Sequence, residues 1–364
     1  MGSAVAIGAL ALSLAACGSD DATGNGSGTS TDGASAGGSL SGELNGAGSS
    51  AQGSAMDAWR SGFQSANTGV TVNYDPIGSG DGRKQFLSGA VQYAGSDAYL
   101  KDDEIAQAKT TCQNGDVVEL PVYISPIAIA FNLKGVDSLN LDGPTVGKIF
   151  NGKITKWNDA AIAKLNPGVK LPSTAITPVH RSDDSGTTQN FTEWVKANAG
   201  AAWPYDAAQT FPVKGGQSAQ GTSGVVQTIK GGEGTVGYID SSQVGDLGSA
   251  KIKVGDSFVA HSADAAAAAV SQSKVVSGRA TSDIAIDIDR TLTDSSTYPL
   301  VLVSYDIACT TYKDANTAAL VKGFLSYAIS DAGQQAAASA AGSAPLSSDL
   351  TTKAQAAVDA IKAG

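Results

Sequence analysis

Histidine and cysteine are scarce in this chain of 364 residues: His180 and His261 are its imidazoles, and Cys17, Cys112 and Cys309 its thiols. There is no CxxC, no HExxH and no His/Cys group at metal-ligand spacing, so a zinc enzyme has nothing to be built on and no metal or cofactor is expected. Basic residues are in deficit, with 24 Lys and Arg against 34 Asp and Glu, a formal charge of -10 and a pI near 4.6. No Lys/Arg cluster forms the stripe that displaces counterions from a phosphodiester backbone, which argues against nucleic acid as a partner. The GxxxxGK[ST] phosphate loop and the GxSxG nucleophile elbow are both missing. His180 and Ser185 lie five residues apart across an expected strand-to-helix turn, where they would not face each other as base and nucleophile.

A membrane-spanning run is also missing from the N-terminus: the apolar stretch at residues 4–16 is too short to cross a bilayer and has the size of a signal-peptide core. It ends in Leu14-Ala15-Ala16-Cys17, small residues before a cysteine, and resembles the lipobox of bacterial lipoproteins. Residues 1–16 are therefore expected to be a signal peptide and Cys17 a lipidated anchor; an ordinary secretory signal with a chance cysteine is the alternative. Met1-Gly2-Ser3 lacks the basic residue that precedes such a core, so the start is expected upstream. After Cys17, residues 18–39 are almost wholly Gly, Ser, Thr, Ala and Asp. Such a stretch cannot bury enough apolar surface to order itself and reads as a flexible linker reaching roughly 25 Å. Outside the membrane the compartment is oxidising, and Cys112 and Cys309 form an even pair once Cys17 is set aside. A disulfide between them is expected, the alternative being two buried free thiols.

What is abundant is a hydrophobic content of 42%, enough for more than one core at this length. Val70-Thr71-Val72-Asn73-Tyr74 alternates like a strand, residues 117–132 form a long Val/Ile/Pro run, and Leu300-Val301-Leu302-Val303 reads as another strand. Met56, Trp59 and Phe63 put one apolar stripe on a helix, as do Phe191, Trp194 and Val195, and these aromatics are expected in the core. Strands alternating with helices predict an α/β protein with largely parallel sheets. Residues 315–361 read as helical, with Leu320, Phe324, Leu325 and Ala328 on one face and a break at Pro345.

One pattern recurs three times: a strand-like run, then glycine with hydroxyl residues, then a helix. The copies are Asn45-Gly46-Ala47-Gly48-Ser49-Ser50-Ala51, Ile77-Gly78-Ser79-Gly80-Asp81-Gly82 and Arg181-Ser182-Asp183-Asp184-Ser185-Gly186-Thr187-Thr188. The first amides of a helix lack internal partners and carry partial positive charge, so such openings can hold an anion on a protein of net negative charge. Any one copy would serve equally as an ordinary helix cap. Three copies, with Asp97 in Gly95-Ser96-Asp97-Ala98 and Arg181 heading the third, point to a shared anion site.

From about residue 40 onward the chain resembles the PstS family, the phosphate-binding lipoproteins of bacterial phosphate ABC transporters, in an actinobacterial form by its Gly and Ala content. Besides the three openings, the resemblance rests on Gly147-Lys148-Ile149-Phe150-Asn151-Gly152-Lys153-Ile154-Thr155-Lys156-Trp157-Asn158-Asp159 and on Ile162-Ala163-Lys164-Leu165-Asn166-Pro167-Gly168. It implies a two-lobed α/β periplasmic-binding-protein-like fold of type II with two crossover segments. The implied lobes are 40–131 plus 305–364, and 132–304. Phosphate would lie between them, bound by Ser50, the Ala51 amide, Ser79, Asp97, Arg181, Ser185, Gly186 and Thr187, with Asp183 behind Arg181. Asp184, where the family commonly has glycine, would add negative potential at the cleft edge and is left out of the site. His180 reads as a spectator.

The same resemblance implies a monomer, lipid-anchored on the outer face of the cytoplasmic membrane, that delivers phosphate to the permease and ATPase subunits of an importer. A phosphate-sensing lipoprotein and a phosphatase-like enzyme on the same scaffold are the alternatives. An ionised Asp97 can accept a hydrogen bond from protonated phosphate but meets only lone pairs on sulfate, so the carboxylate would supply selectivity.

Overall fold

Alternation of buried and exposed residues along Gly69–Asp75, with Val70 and Val72 inward, makes this segment β2, an outer strand packed by helices on one face. The computed structural model describes residues 40–364; the expected signal peptide, Cys17 and the linker up to residue 39 lie outside them. The first half of the body is built from β1 (Ser41–Gly48), β2 and β3 (Tyr93–Ser96), alternating with α1 (Gly53–Ala66), α2 (Ser79–Leu87) and α3 (Asp102–Thr111). β1 lies between β2 and β3, parallel to both.

The run at residues 117–132 becomes β4 (Val117–Phe131), buried at every position. Continuous burial explains its near-absence of polar side chains. Beyond it come β5 (Ser138–Leu141), α4 (Gly143–Phe150), α5 (Ala160–Leu165), β6 (Thr177–Arg181), α6 (Gly186–Ala199), β7 (Gln217–Ala219), α7 (Gly221–Gly231), β8 (Thr235–Asp240), β9 (Gly248–Val254), β10 (Ser257–Val259) and α8 (Ala263–Ser271). A small ribbon of β11 (Lys274–Val275) and β12 (Ile286–Asp287) leads to β13 (Val301–Cys309), and the chain ends with β14 (Thr311–Tyr312), α9 (Ala315–Ile329), α10 (Asp331–Ala341), α11 (Ser348–Asp359) and β15 (Lys362–Ala363).

β4 and β13 join the halves. Up to Pro126, β4 pairs antiparallel with β13, which also pairs with β3; from Ile127 onward β4 pairs antiparallel with β8. The second sheet then runs β4-β8-β6-β7, with β9 beside β4, β5 and β10. The sheets are thus mixed rather than largely parallel. β1–β3 and β6–β8 pair in parallel as expected, but the two strands that carry the chain between halves run in opposite directions and impose antiparallel pairing on their neighbours.

Met56, Trp59 and Phe63 of α1, and Phe191, Trp194 and Val195 of α6, are buried as their spacing predicts. The C-terminal helical stretch breaks around Pro345 as expected, between α10 and α11, and once more before it, at Ser330. Ser330 ends α9 and caps α10, accepting a bond from the Gly333 amide at 3.1 Å, and Gly342 ends α10 at φ 60°. Cys112, at the end of α3, and Cys309, at the end of β13, are buried and joined in a disulfide. Among the described residues no helix is long and apolar enough to cross a membrane.

Candidate functional site

The glycine openings converge because each sits where a strand ends at the cleft between the halves. α1 begins late, at Gly53, so Ser49 and Ser50 are not needed as caps and their hydroxyls are free for other bonds. α2 begins at Ser79 itself, entered through Gly78 at φ 107°, a backbone conformation that suits glycine. α6 begins at Gly186 behind Ser185, which caps it by accepting a bond from the Thr188 amide at 3.1 Å. Gly186 is required by proximity: a Cβ there would lie 2.7 Å from the Asp97 Cβ and 2.7 Å from Ser79 Oγ.

Asp97 sits at the centre, just beyond β3 and buried. Ser49 donates to its Oδ1, Ser304 of β13 reaches the same oxygen at 2.9 Å, and Thr187 donates to Oδ2 at 3.0 Å. Its amide donates to Ser79 Oγ at 3.1 Å, and its carbonyl accepts from Asn190 Nδ2 at 2.7 Å. Burial pushes the Asp97 carboxyl above its ordinary range; the Ser49, Ser304 and Thr187 hydroxyls and the charge of Arg181 pull it back toward ionisation.

Arg181, the last residue of β6, is buried and bound along one edge. Its Nε donates to Asp183 Oδ1 at 2.8 Å and its Nη2 to Asp183 Oδ2. Asp183 is itself fixed by the Gly221 amide at 3.1 Å. This leaves the Nη1 side of the guanidinium for a partner of opposite charge.

Ser79, Asp97, Arg181, Asp183, Ser185, Gly186 and Thr187 thus come together around one point of the cleft. The first opening makes bonds within the protein. Ser50 Oγ accepts from the Thr222 amide at 3.0 Å and lies 3.2 Å from Thr222 Oγ1, while the Ala51 amide donates to Ser49 Oγ at 3.1 Å. It is Ser49 that reaches Asp97.

Sequence reasoning missed Ser49, Ser304 and a fourth opening, Gln220-Gly221-Thr222-Ser223-Gly224, at the start of α7. The fourth repeats the strand, glycine, hydroxyl, helix pattern and was readable on the same terms. Asp184 is not a free charge at the cleft edge. It accepts from Thr210 at 2.7 Å and pairs with Lys84 at 3.0 Å, which together hold its carboxyl below the ordinary range, and its carbonyl accepts from the Gly80 amide at 2.9 Å. His180 stacks on Phe211 with ring centroids 4.4 Å apart, its Nδ1 2.9 Å from the Arg181 carbonyl. Hydroxyls, helix-start amides, one guanidinium and one buried carboxylate can together hold a small oxyanion that carries a proton.

A family model described as a PBP superfamily domain matches residues 33–332. Phosphate-binding protein PstS 3 of Mycobacterium tuberculosis is 37% identical over 96% of this chain and 95% of its own length, and Phosphate-binding protein PstS 2 of the same organism is 35% identical over 93% and 94%. Among solved structures, a high-affinity periplasmic phosphate-binding protein, PfluDING, bound with phosphate, matches with a TM-score of 0.72 at 22% identity, over 86% of this chain and 93% of that one. A phosphate-binding protein from Stenotrophomonas maltophilia matches with a TM-score of 0.65 at 20% identity, over 87% and 94%. At these identities the structures establish the fold, a two-lobed α/β periplasmic-binding-protein-like architecture whose crossovers here are β4 and β13. With more than a third of its residues shared along nearly the whole length of its mycobacterial relatives, the chain belongs to the PstS family of the PBP superfamily.

Proposed function

We propose that this protein binds inorganic phosphate between its lobes and delivers it to the permease and ATPase subunits of a phosphate ABC importer. The observation that carries the reading is Asp97: a buried carboxylate, bonded by hydroxyls from both lobes, in a site otherwise made of anion donors. An acceptor is useless to a fully deprotonated anion and matched to one that keeps a proton. Ser79, Arg181, Ser185, Gly186 and Thr187 supply the remaining contacts; Ser50 and the Ala51 amide join them by exchanging their bonds to Thr222 and Ser49 for the anion. Asp183 holds Arg181, and the lobes divide as 40–131 plus 305–364 against 132–304.

Hydrogen bonds to a charged group contribute about 1.5 to 3 kcal/mol each, so several reach about -8 kcal/mol, a micromolar Kd, after the cost of association. The role is binding without catalysis, in keeping with a His180 stacked on Phe211 rather than aimed at Ser185. The protein acts as a monomer held by lipid on Cys17 at the outer face of the cytoplasmic membrane. Calorimetric titration at neutral pH tests the reading: phosphate is expected to bind at micromolar or tighter Kd and sulfate at least about 10⁴-fold more weakly. Equal affinity for the two anions sinks it, and release of phosphate from a chromogenic ester would favour the enzyme.

A further inference from the structure

Behind Asp97 lies a line of buried polar side chains that the anion contacts do not use. Ser304, Gln52 and Asp306 are all fully buried. Ser304 Oγ is 2.9 Å from Asp97 Oδ1 and 2.6 Å from Gln52 Oε1. Gln52 Nε2 is 3.2 Å from Asp306 Oδ1 and 3.3 Å from the Tyr74 hydroxyl, and Asp306 Oδ2 has no partner among the described residues. Ser304 has one proton and two acceptors in reach, so it serves one of them at a time.

The Gln52 amide decides which. With Asp306 ionised, Nε2 donates to the carboxylate and Oε1 takes the Ser304 proton, so Asp97 keeps only Ser49 and Thr187. With Asp306 protonated, the amide turns over within the same outline: Asp306 donates to Oε1, Nε2 donates to Ser304 Oγ, and Ser304 gives its proton to Asp97. Both arrangements leave the line bonded end to end.

We propose that Asp306, Gln52 and Ser304 form a proton-linked positioning relay that sets whether two or three hydroxyls hold Asp97, and thereby the affinity of the cleft for its anion. The inference rests on the phosphate-binding reading. With three hydroxyls, both lone pairs of Oδ1 are filled and the carboxylate presents Oδ2 to the ligand's proton. With two, Asp97 is less well held and Asp306 adds a second negative charge to the network, both of which weaken anion binding.

Burial pushes the Asp306 carboxyl up to about 7, which places the change in the neutral range. The titratable groups facing it are Tyr74 from β2 and Tyr93 from β3, both kept protonated by burial, and Asp97 beyond β3. On α1, Arg60 is turned to the Val72 carbonyl and Asp57; on β4, Glu119 is taken by Arg279 and the Leu100 amide.

Phosphate titrations of the full chain between about pH 5.5 and 8.5 test the relay, with each variant expressed against the parent so that phosphate's own ionisation cancels. Asp306→Asn, which cannot ionise, should match the parent at the acid end and bind about tenfold more tightly at the alkaline end. Ser304→Ala should behave oppositely, binding several-fold more weakly at the acid end and converging with the parent as Ser304 leaves Asp97. Ratios flat with pH in both variants overturn the relay, since a merely structural role would shift affinity equally throughout. Infrared spectra of the ligand-free protein separate this from the functional reading: beside the band of Asp240, which burial raises to about 6, the parent should show a protonated buried carboxyl that fades near pH 7 and is missing from Asp306→Asn. If no such band titrates, the relay fails whether or not phosphate binds, whereas a parent that titrates without binding phosphate sinks the functional reading alone.

Discussion

Asp97 and Thr187 face each other across the cleft at 3.0 Å but do different jobs, and substitutions should separate them. Thr187→Ala removes a hydroxyl that positions Asp97 and leaves the acceptor itself in place, so it should weaken phosphate and sulfate together, by up to about tenfold. Asp97→Asn replaces an acceptor by a group that can also donate, so sulfate gains a partner while protonated phosphate loses one. The phosphate-to-sulfate ratio is expected to fall by at least about 10²-fold in Asp97→Asn and to change little in Thr187→Ala. Calorimetry with both anions reads this, and an unchanged ratio in Asp97→Asn removes the selectivity role.

Another buried carboxylate, Asp240, bears on stability. Asp240, at the end of β8, accepts from the Tyr123 hydroxyl and the Ser242 amide at 3.0 Å each, and burial pushes it from 3.8 up to about 6. A carboxyl raised in the folded state binds its proton more tightly there than in the unfolded chain, so its stabilisation is full below about pH 4 and is lost as pH rises through 6. The loss is up to about 3 kcal/mol. Asp240→Asn should therefore gain in Tm on the parent between those limits, and a constant Tm difference would count against it. Asp97, Arg181 and Asp183 were legible because each stands in a short motif. Ser304 was not, lying 207 residues from Asp97, and its trace in the sequence is only a polar residue interrupting the apolar run of β13.

Helix starts are the elements that build this cleft, and their caps serve two ends. Ser185 caps α6 with the Thr188 amide, and Ser262 caps α8 with the Ala265 amide at 3.2 Å, away from the site. Alanine at either should lower unfolding free energy by about 1 kcal/mol. Only Ser185→Ala should also weaken phosphate binding, since the cap uses the Ser185 oxygen as acceptor and the proposed site uses its hydroxyl proton. Denaturant unfolding and calorimetry on the two variants check the contrast, and equal phosphate affinity in both would mean that Ser185 is a cap and nothing more. The openings were visible as glycine and hydroxyl residues between periodic runs. The mixed sheet was not, because strand direction depends on which half the chain has just left, and apolar runs such as β4 and β13 look alike in either direction. The break at Ser330 was overlooked because Ser-Asp-Ala-Gly continues a helical composition while its first side chain caps the next helix.

A net charge of -10 and an anion as ligand are compatible only if the anion is enclosed, so that nearby amides and Arg181 outweigh distant carboxylates. Enclosure requires the lobes to meet, and they are tied by bonds around the cleft: Thr222 to Ser50, Gln243 to Ser54 at 2.9 Å, Arg83 to Gln209 at 3.0 Å and Lys84 to Asp184 at 3.0 Å. Most are exposed or half-buried and individually worth under about 1 kcal/mol. They cannot hold the lobes shut alone, and a ligand touching both sides must supply the difference between open and closed. Phosphate is therefore expected to lower the radius of gyration measured by solution scattering, by roughly 1 Å for hinge closure in a protein of this size. Sulfate at the same concentration should leave it unchanged. Because Arg181 and Asp183 come from one lobe and Asp97 from the other, Asp97→Asn should need more phosphate to reach the same compact state. A radius that does not respond to phosphate would mean that the lobes stay closed without ligand, and that release of the anion is governed by another part of the molecule.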